Sequence, residues 1–151
     1  MAAEPYDDAH AGDGLLNLDF AGTGAIIGTG IAGAVLPDTF KLVHAALAGL
    51  LFLVGAGALL WGYALGVSRS RTLVISMAGL FFLAEGTAPP TVRRRFLVAL
   101  GVQVVVGVAA ALVRPDTELA FGVLAPIFGL GLMALWGGRY GSFPAKTADR
   151  A

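Results

Sequence analysis

The sequence contains no cysteine and few charged residues. Without cysteine, a disulfide framework, a thiolate metal site and a cysteine nucleophile are all excluded. Charged side chains make up 13% of the chain, well below the ~25% that a soluble domain carries. The formal net charge is zero, so no basic field of the kind that attracts nucleic acid exists. These shortages argue against a soluble domain and against a nucleic-acid partner.

The chain has long hydrophobic runs instead. Hydrophobic residues make up 57% of its 151 residues, and the mean hydropathy is +0.80. The clearest run, residues 45–67, contains 23 residues without a charge. As a helix it would extend roughly 34 Å, which exceeds the ~30 Å hydrocarbon core of a bilayer. We therefore predict an all-α fold, a polytopic transmembrane helical bundle of four to five helices whose surroundings are the lipid bilayer.

Charge and hydropathy divide the chain into three parts. Residues 1–19 contain five acidic side chains and no lysine or arginine, which predicts an acidic disordered tail and is unlike a secretory signal. Residues 20–138 form the predicted bundle, and residues 139–151 form a polar cytoplasmic tail. The predicted spans lie near residues 20–36, 42–67, 72–88, 96–113 and 119–137.

The first of these spans is ambiguous. Residues 20–36 are uncharged, but they number only 17 and include five glycines, so the segment either crosses the bilayer deep in the bundle or is re-entrant. Its G-x-G-x-x-G pattern at residues 28–33 lacks the βαβ setting of a nucleotide site. Small residues four apart let helices approach closely. The residues predicted to serve helix packing are Gly24, Gly28, Ala32, Gly62 and Gly66.

Basic residues predict the orientation. Arg93, Arg94 and Arg95 follow the third predicted span, and two further spans separate them from the C-terminal tail, which places six bases on one side. The opposite side holds three, in the 68–71 and 114–118 connections. The positive-inside rule then puts the C-terminus in the cytoplasm. The three arginines serve as a topology signal, and their charge also suits anionic lipid head groups.

Three polar side chains other than hydroxyls fall within or beside the predicted spans. His44, Glu85 and Gln103 all map to the cytoplasmic half, which predicts an intramembrane polar cluster. Each also has a structural explanation: an ion-paired boundary for Glu85, a backbone hydrogen bond for His44 and an interhelical bond for Gln103. The sequence contains no recognisable catalytic, metal or cofactor motif, so we expect no metal and no cofactor.

The C-terminal half carries a resemblance. From residue 85 onward, the pattern of prolines and arginines, Gln103 and the Trp136–Arg139 ending resembles small multi-pass membrane proteins of high-GC Gram-positive bacteria that carry no assigned function. The resemblance implies a bacterial inner-membrane location and no activity.

Two functions follow as expectations. The first is a non-enzymatic structural or accessory subunit that packs with itself, as a homo-oligomer, or with a membrane-protein partner. The alternative is a small transporter or channel subunit whose pathway is lined by His44, Glu85 and Gln103. An enzyme would need convergent acid–base or metal groups on facing helices, and the sequence offers only His44 and Glu85.

Overall fold

The computed structural model describes residues 12–113 and 118–146, and these residues are mostly helical. They form five α-helices and one 3₁₀ helix, with extended backbone paired only at an isolated bridge between Leu73 and Ala145. The α-helices are α1 (Asp13–Val35), α2 (Pro37–Arg69), α3 (Met77–Phe82), α4 (Pro90–Val113) and α5 (Pro126–Tyr140), and the 3₁₀ helix, Glu118–Leu124, precedes α5. The predicted all-α helical fold is confirmed.

Four segments are long and apolar enough to cross a membrane. They are Asp13–Val35, Thr39–Arg69, Pro90–Val113 and Ala120–Tyr140. The last is interrupted at Pro126, where the 3₁₀ helix stops and α5 begins with the proline in its first turn. Proline suits that position because it has no amide hydrogen to donate. The helix type therefore changes at Pro126 within this segment.

Hydrogen bonds hold the helix ends together at one end of the bundle. At one end α1 and α4 begin while α2 and α5 finish. The Arg69 guanidinium ties this end together by donating to the carbonyls of Gly138 and Gly141, both at 2.9 Å. The Ser142 amide donates to the carbonyl of Thr87 at 3.0 Å. We call this the arginine end, and the other the opposite end.

The prediction of a membrane-spanning helix over residues 72–88 is corrected. Only Met77–Phe82, six residues, is helical there, and the backbone then turns through positive φ at Leu83 and Glu85. Leu80 and Leu83 are buried because they pack on Gly66 of α2 and Gly137 of α5. The apolar residues of this segment therefore cover the arginine end of the bundle and do not span it.

This correction changes the side on which two of the counted arginines lie. Because the chain leaves α2 and enters α4 at the same end, Arg69 and Arg71 lie with Arg93–Arg95 and not opposite them. Seven of the eight lysines and arginines that the structure describes lie at this end: Arg69, Arg71, Arg93, Arg94, Arg95, Arg139 and Lys146. The eighth, Lys41, is near the opposite end.

The boundary of the acidic tail is also corrected. Helix α1 begins at Asp13, so residues 13–19, predicted to be disordered, form its first two turns. Residues 1–11 of that tail, the 114–117 turn and residues 147–151 of the C-terminal tail lie outside the described residues. Arg139 and Tyr140, assigned to the C-terminal tail, complete the last turn of α5.

Helices α2 and α5 make the closest approach in the bundle. An ideal Cβ at Gly62 would lie 2.5 Å from the carbonyl carbon of Ala134, and one at Gly138 would lie 2.6 Å from the carbonyl oxygen of Gly62. Gly55 and Gly131 meet in the same way, backbone against backbone. Because the glycines are seven residues apart on each helix, the two backbones stay in contact along two helical turns. Trp136 and Phe128 of α5 fill the core beside this contact.

Candidate functional site

A buried polar cluster joins α1, α4 and α5 inside the bundle. The side-chain amide of Gln103 donates to Asp19 Oδ1 and to Thr23 Oγ1, each at 2.8 Å. Its Oε1 accepts from the Gly129 amide at 3.2 Å. Asp19 is fully buried, Gln103 is 1% exposed and Thr23 is 6% exposed. Three helices are therefore connected through one glutamine side chain.

The donor groups determine the direction of each hydrogen bond in this cluster. Because the Gly129 amide can only donate, Gln103 must present its oxygen to α5 and its NH₂ group to α1. The Thr23 hydroxyl donates to the Asp19 carbonyl oxygen at 2.8 Å, so its proton is not directed at the carboxyl group. Asp19 Oδ2 is buried and has no hydrogen-bond partner among the described residues.

Sequence reasoning missed Asp19. It stands one residue before the uncharged run and was grouped with the acidic tail. The available signal was spacing: Leu16, Asp19, Thr23 and Ile26 repeat at three and four residues, and all four are buried on one face of α1. Extending the helical period backward from the glycine-rich run places Asp19 on the face that points into the bundle.

His44 lies in a separate place, towards the opposite end. It is fully buried, and its Nδ1 is 3.1 Å from Thr29 Oγ1. The Thr29 hydroxyl donates to the Ala25 carbonyl at 2.9 Å, so its oxygen accepts from Nδ1–H. Nε2 has no partner in the described parts of the chain and points at Gly122, where an ideal Cβ would lie 2.8 Å away. The glycine leaves room for the imidazole.

Glu85 lies on the surface of the arginine end. It is exposed, with φ at 57°, and its Oε2 accepts from the Ser76 hydroxyl at 2.6 Å. The Ser76 oxygen in turn accepts from the Gly79 amide and caps α3. His44, Glu85 and Gln103 therefore belong to three different hydrogen-bond networks, and the predicted polar cluster of these three residues does not form.

The small residues predicted to pack helices fall into two groups. Gly62 lies at the close approach of α2 to α5, and Gly66 faces Leu80. Gly24 and Gly28 are exposed, and an ideal Cβ at either would meet nothing within 4 Å; Ala32 beside them is half-buried. Gly24 and Gly28 do not pack against any described part of the chain. The glycines of α1 that do face the bundle are Gly22, Gly30 and Gly33.

The arginine triplet is at the solvent-exposed start of α4. Arg93 donates to the Phe82 carbonyl at 3.2 Å, and Arg94 and Arg95 are exposed. Clefts of about 300 Å³ lie on either side of Arg94, one continuing along Leu97 of α4 and the other bordered by Phe20 of α1. An arginine beside aliphatic side chains can bind the head group of an anionic lipid while the aliphatic side chains contact its first methylene groups.

Within the described residues, no group of three or more His, Asp or Glu side chains is placed to hold a metal ion. Comparison with known proteins gives no family model, no curated protein and no solved structure that matches this chain. The function is therefore inferred from the sequence and from the geometry of the bundle.

Proposed function

We propose that this protein is a non-enzymatic membrane subunit that assembles with another transmembrane helix through the outer face of α1. The observation that carries the proposal is the composition of that face. Exposed residues repeat along α1 at three and four positions as Ala21, Gly24, Gly28, Ile31 and Val35. The middle of this face consists of Gly24 and Gly28, which we call the α1 stripe, and an ideal Cβ at either position meets none of the described residues.

The outer faces of the other long helices differ from the α1 stripe. On α2 the equivalent row includes Leu50, Leu53 and Leu60, each more than half exposed, and on α4 it includes Val105 and Leu112. Large side chains of this kind suit contact with lipid tails. Small residues instead let the backbone of a second helix approach, which is how helices associate in lipid. The difference between the faces favours α1 as the assembly surface.

The transporter or channel alternative loses its original basis. It required His44, Glu85 and Gln103 to line one pathway, and Glu85 is exposed at the arginine end while the other two are buried in separate networks. An enzymatic function would need convergent acid–base groups. In the described part of the chain the buried cluster joins Asp19, Thr23 and the neutral amide of Gln103, and Asp19 is its one acid, which favours a non-enzymatic role.

The orientation is part of the same proposal. Seven of the eight described bases lie at the arginine end, which supports placing that end and the C-terminus in the cytoplasm of a bacterial cell. The chain has no cysteine, so single cysteines introduced by Thr39→Cys and Ser142→Cys report the two ends without background. An impermeant maleimide added to intact spheroplasts should label Thr39→Cys and should label Ser142→Cys only after permeabilisation. The reverse pattern would overturn the orientation.

The assembly proposal is tested by Gly28→Leu. The wild type should run in mild detergent as a homo-oligomer or with a stoichiometric membrane partner, measured by native mass spectrometry. Gly28→Leu should lose that species because its side chain blocks helix approach, while its helix content, measured by circular dichroism, stays unchanged because an ideal Cβ at Gly28 meets no described residue.

The matched control is Gly101→Leu. Gly101 is also exposed, lies on α4 and has nothing within 4 Å of an ideal Cβ. It should keep the assembly, so an equal loss in both variants would contradict a role for the α1 stripe. A wild-type protein that is monomeric and without a partner in native membranes would remove the proposal.

A further inference from the structure

Asp19 is the one fully buried carboxyl group in the parts of the chain that the structure describes. Its position, six residues after the start of α1, is about 9 Å into the helix from the arginine end. Assembly through the outer face of α1 makes no use of it, because Asp19 faces inward. A buried acid is costly to keep in a membrane bundle, which makes it a functional residue by default.

The groups packed around Asp19 are neutral. From α4 it meets the amide of Gln103, whose partner on α5 is the Gly129 backbone. Residues 45–68 of α2 and 127–138 of α5 contain no charged side chain, and residues 120–124 of the 3₁₀ helix contain none either. His44 bonds to Thr29, ten residues further along α1. No described base forms an ion pair with this carboxyl group.

An ionised carboxylate would be poorly matched to this site. It could accept about four hydrogen bonds, but the network directs one neutral donor to Oδ1 and none to Oδ2. A charge taken from water without a counter-charge or several donors is strongly unfavourable. The neutral acid avoids that cost, and its hydroxyl belongs on Oδ2, since Oδ1 already accepts from Gln103.

We propose that Asp19 is a proton-binding site, which holds a proton on Oδ2 and exchanges it with water at the arginine end. The exchange breaks the Oδ2–H bond and transfers the proton to water, leaving the carboxylate, and the return step reverses it. Gln103 is the positioning residue, because its bond to Oδ1 fixes which oxygen carries the proton. This inference is independent of the proposed assembly.

The route for exchange is the cleft between α1 and α4. It has a volume of about 300 Å³ and is lined by Phe20, Thr91, Arg94, Arg95 and Val98. Phe20 adjoins Asp19 in α1, and Val98 precedes Gln103 by five residues of α4, about 7.5 Å. Asp19 and Gln103 do not line the cleft, so proton exchange requires the seam between α1 and α4 to open beyond Val98.

Infrared difference spectroscopy of the full chain in lipid nanodiscs tests the proposal directly. In mildly acidic buffer the wild type should show the carbonyl stretch of a buried carboxylic acid, absent from Asp19→Asn and retained in Glu85→Gln, whose exposed carboxyl group is the matched control. The band should shift when water is replaced by D₂O and should disappear in alkaline buffer. Asn keeps an oxygen for the Gln103 bond, so this variant should fold, which circular dichroism checks.

Three results would overturn the proposal. The first is identical acid-region spectra for the wild type and Asp19→Asn, which would mean that Asp19 is ionised. The second is a band that neither shifts in D₂O nor titrates, which would make Asp19 a closed structural acid. The third is a band abolished at fixed pH by Na⁺ but not by choline, which would make the carboxylate a cation ligand. The oligomeric state is not an outcome of this experiment, so it leaves the assembly proposal untouched.

Discussion

Replacement of Gly62 by alanine gives the sharpest test of how the bundle is held together. The new methyl group would lie 2.5 Å from the carbonyl carbon and oxygen of Ala134 and 2.6 Å from the next backbone nitrogen. Ordinary contacts of this kind begin near 3.4 Å, so α2 and α5 would have to separate by roughly 1 Å. The obstacle is backbone, which cannot rotate away as a side chain can.

The expected cost follows from that displacement. Overpacking a well-packed interior costs about 1–3 kcal/mol, and because a whole helix must move we expect the upper part of that range. A loss of about 3 kcal/mol lowers the ratio of folded to unfolded protein by about 150-fold, since each 1.4 kcal/mol is a factor of ten. Gly66→Ala should cost less, because the atom it meets most closely is a methyl group of the Leu80 side chain.

The assay is reversible unfolding in mixed micelles of mild detergent and SDS, followed by tryptophan fluorescence. Gly57→Ala is the matched control, because Gly57 lies on the same helix, is exposed and has nothing within 4 Å of an ideal Cβ. It should be neutral or should stabilise the protein by up to ~1 kcal/mol through helix propensity. Equal midpoints for Gly62→Ala and Gly57→Ala would refute the close approach of α2 to α5.

Three further substitutions each remove a hydrogen bond described above, and the same assay measures the resulting loss in the free energy of unfolding. Gln103→Leu leaves a buried carboxyl oxygen and a buried backbone amide without partners and should cost about 3 kcal/mol, whereas the exposed Val104→Leu should cost nothing. Arg69→Lys removes the guanidinium group that donates to two carbonyls and should lower the free energy of unfolding by about 1–2 kcal/mol. An equal effect of the exposed Arg71→Lys would contradict the role of Arg69 in holding this end together. Ser76→Ala removes the cap of α3 and should cost about 1 kcal/mol, with unchanged stability as the contrary result.

The length of the uncharged runs was enough to predict that this chain is a helical bundle. Residues 42–67 and 96–113, chosen for hydropathy alone, lie inside α2 and α4. Lipid requires every backbone donor and acceptor to be paired within the segment, so a long apolar run has few alternatives to a helix. The signal is strong because it sums over twenty residues and does not depend on any one of them.

Individual residues were predicted less well because their environment depends on which helices meet. Gly62 and Gly28 have the same local signal, a glycine with a small residue four positions away. Gly62 faces α5 and Gly28 faces outward, and that difference is set by the rotation of each helix in the bundle. Asp19 was misassigned for a related reason: hydropathy treats a carboxyl group as the end of a span, although Gln103, 84 residues away, satisfies one of its oxygens inside it.

The wrong prediction of a span at residues 72–88 also put two arginines on the wrong side of the bundle. As a helix its 17 residues would extend roughly 26 Å, short of the ~30 Å core, and it ends at Pro89 and Pro90. Counting it as a span places Arg69 and Arg71 on the side away from Arg93–Arg95. Removing it reverses that assignment, and seven of the eight described bases then lie at one end. Because insertion follows such asymmetry, the arginine end is still the end expected in the cytoplasm.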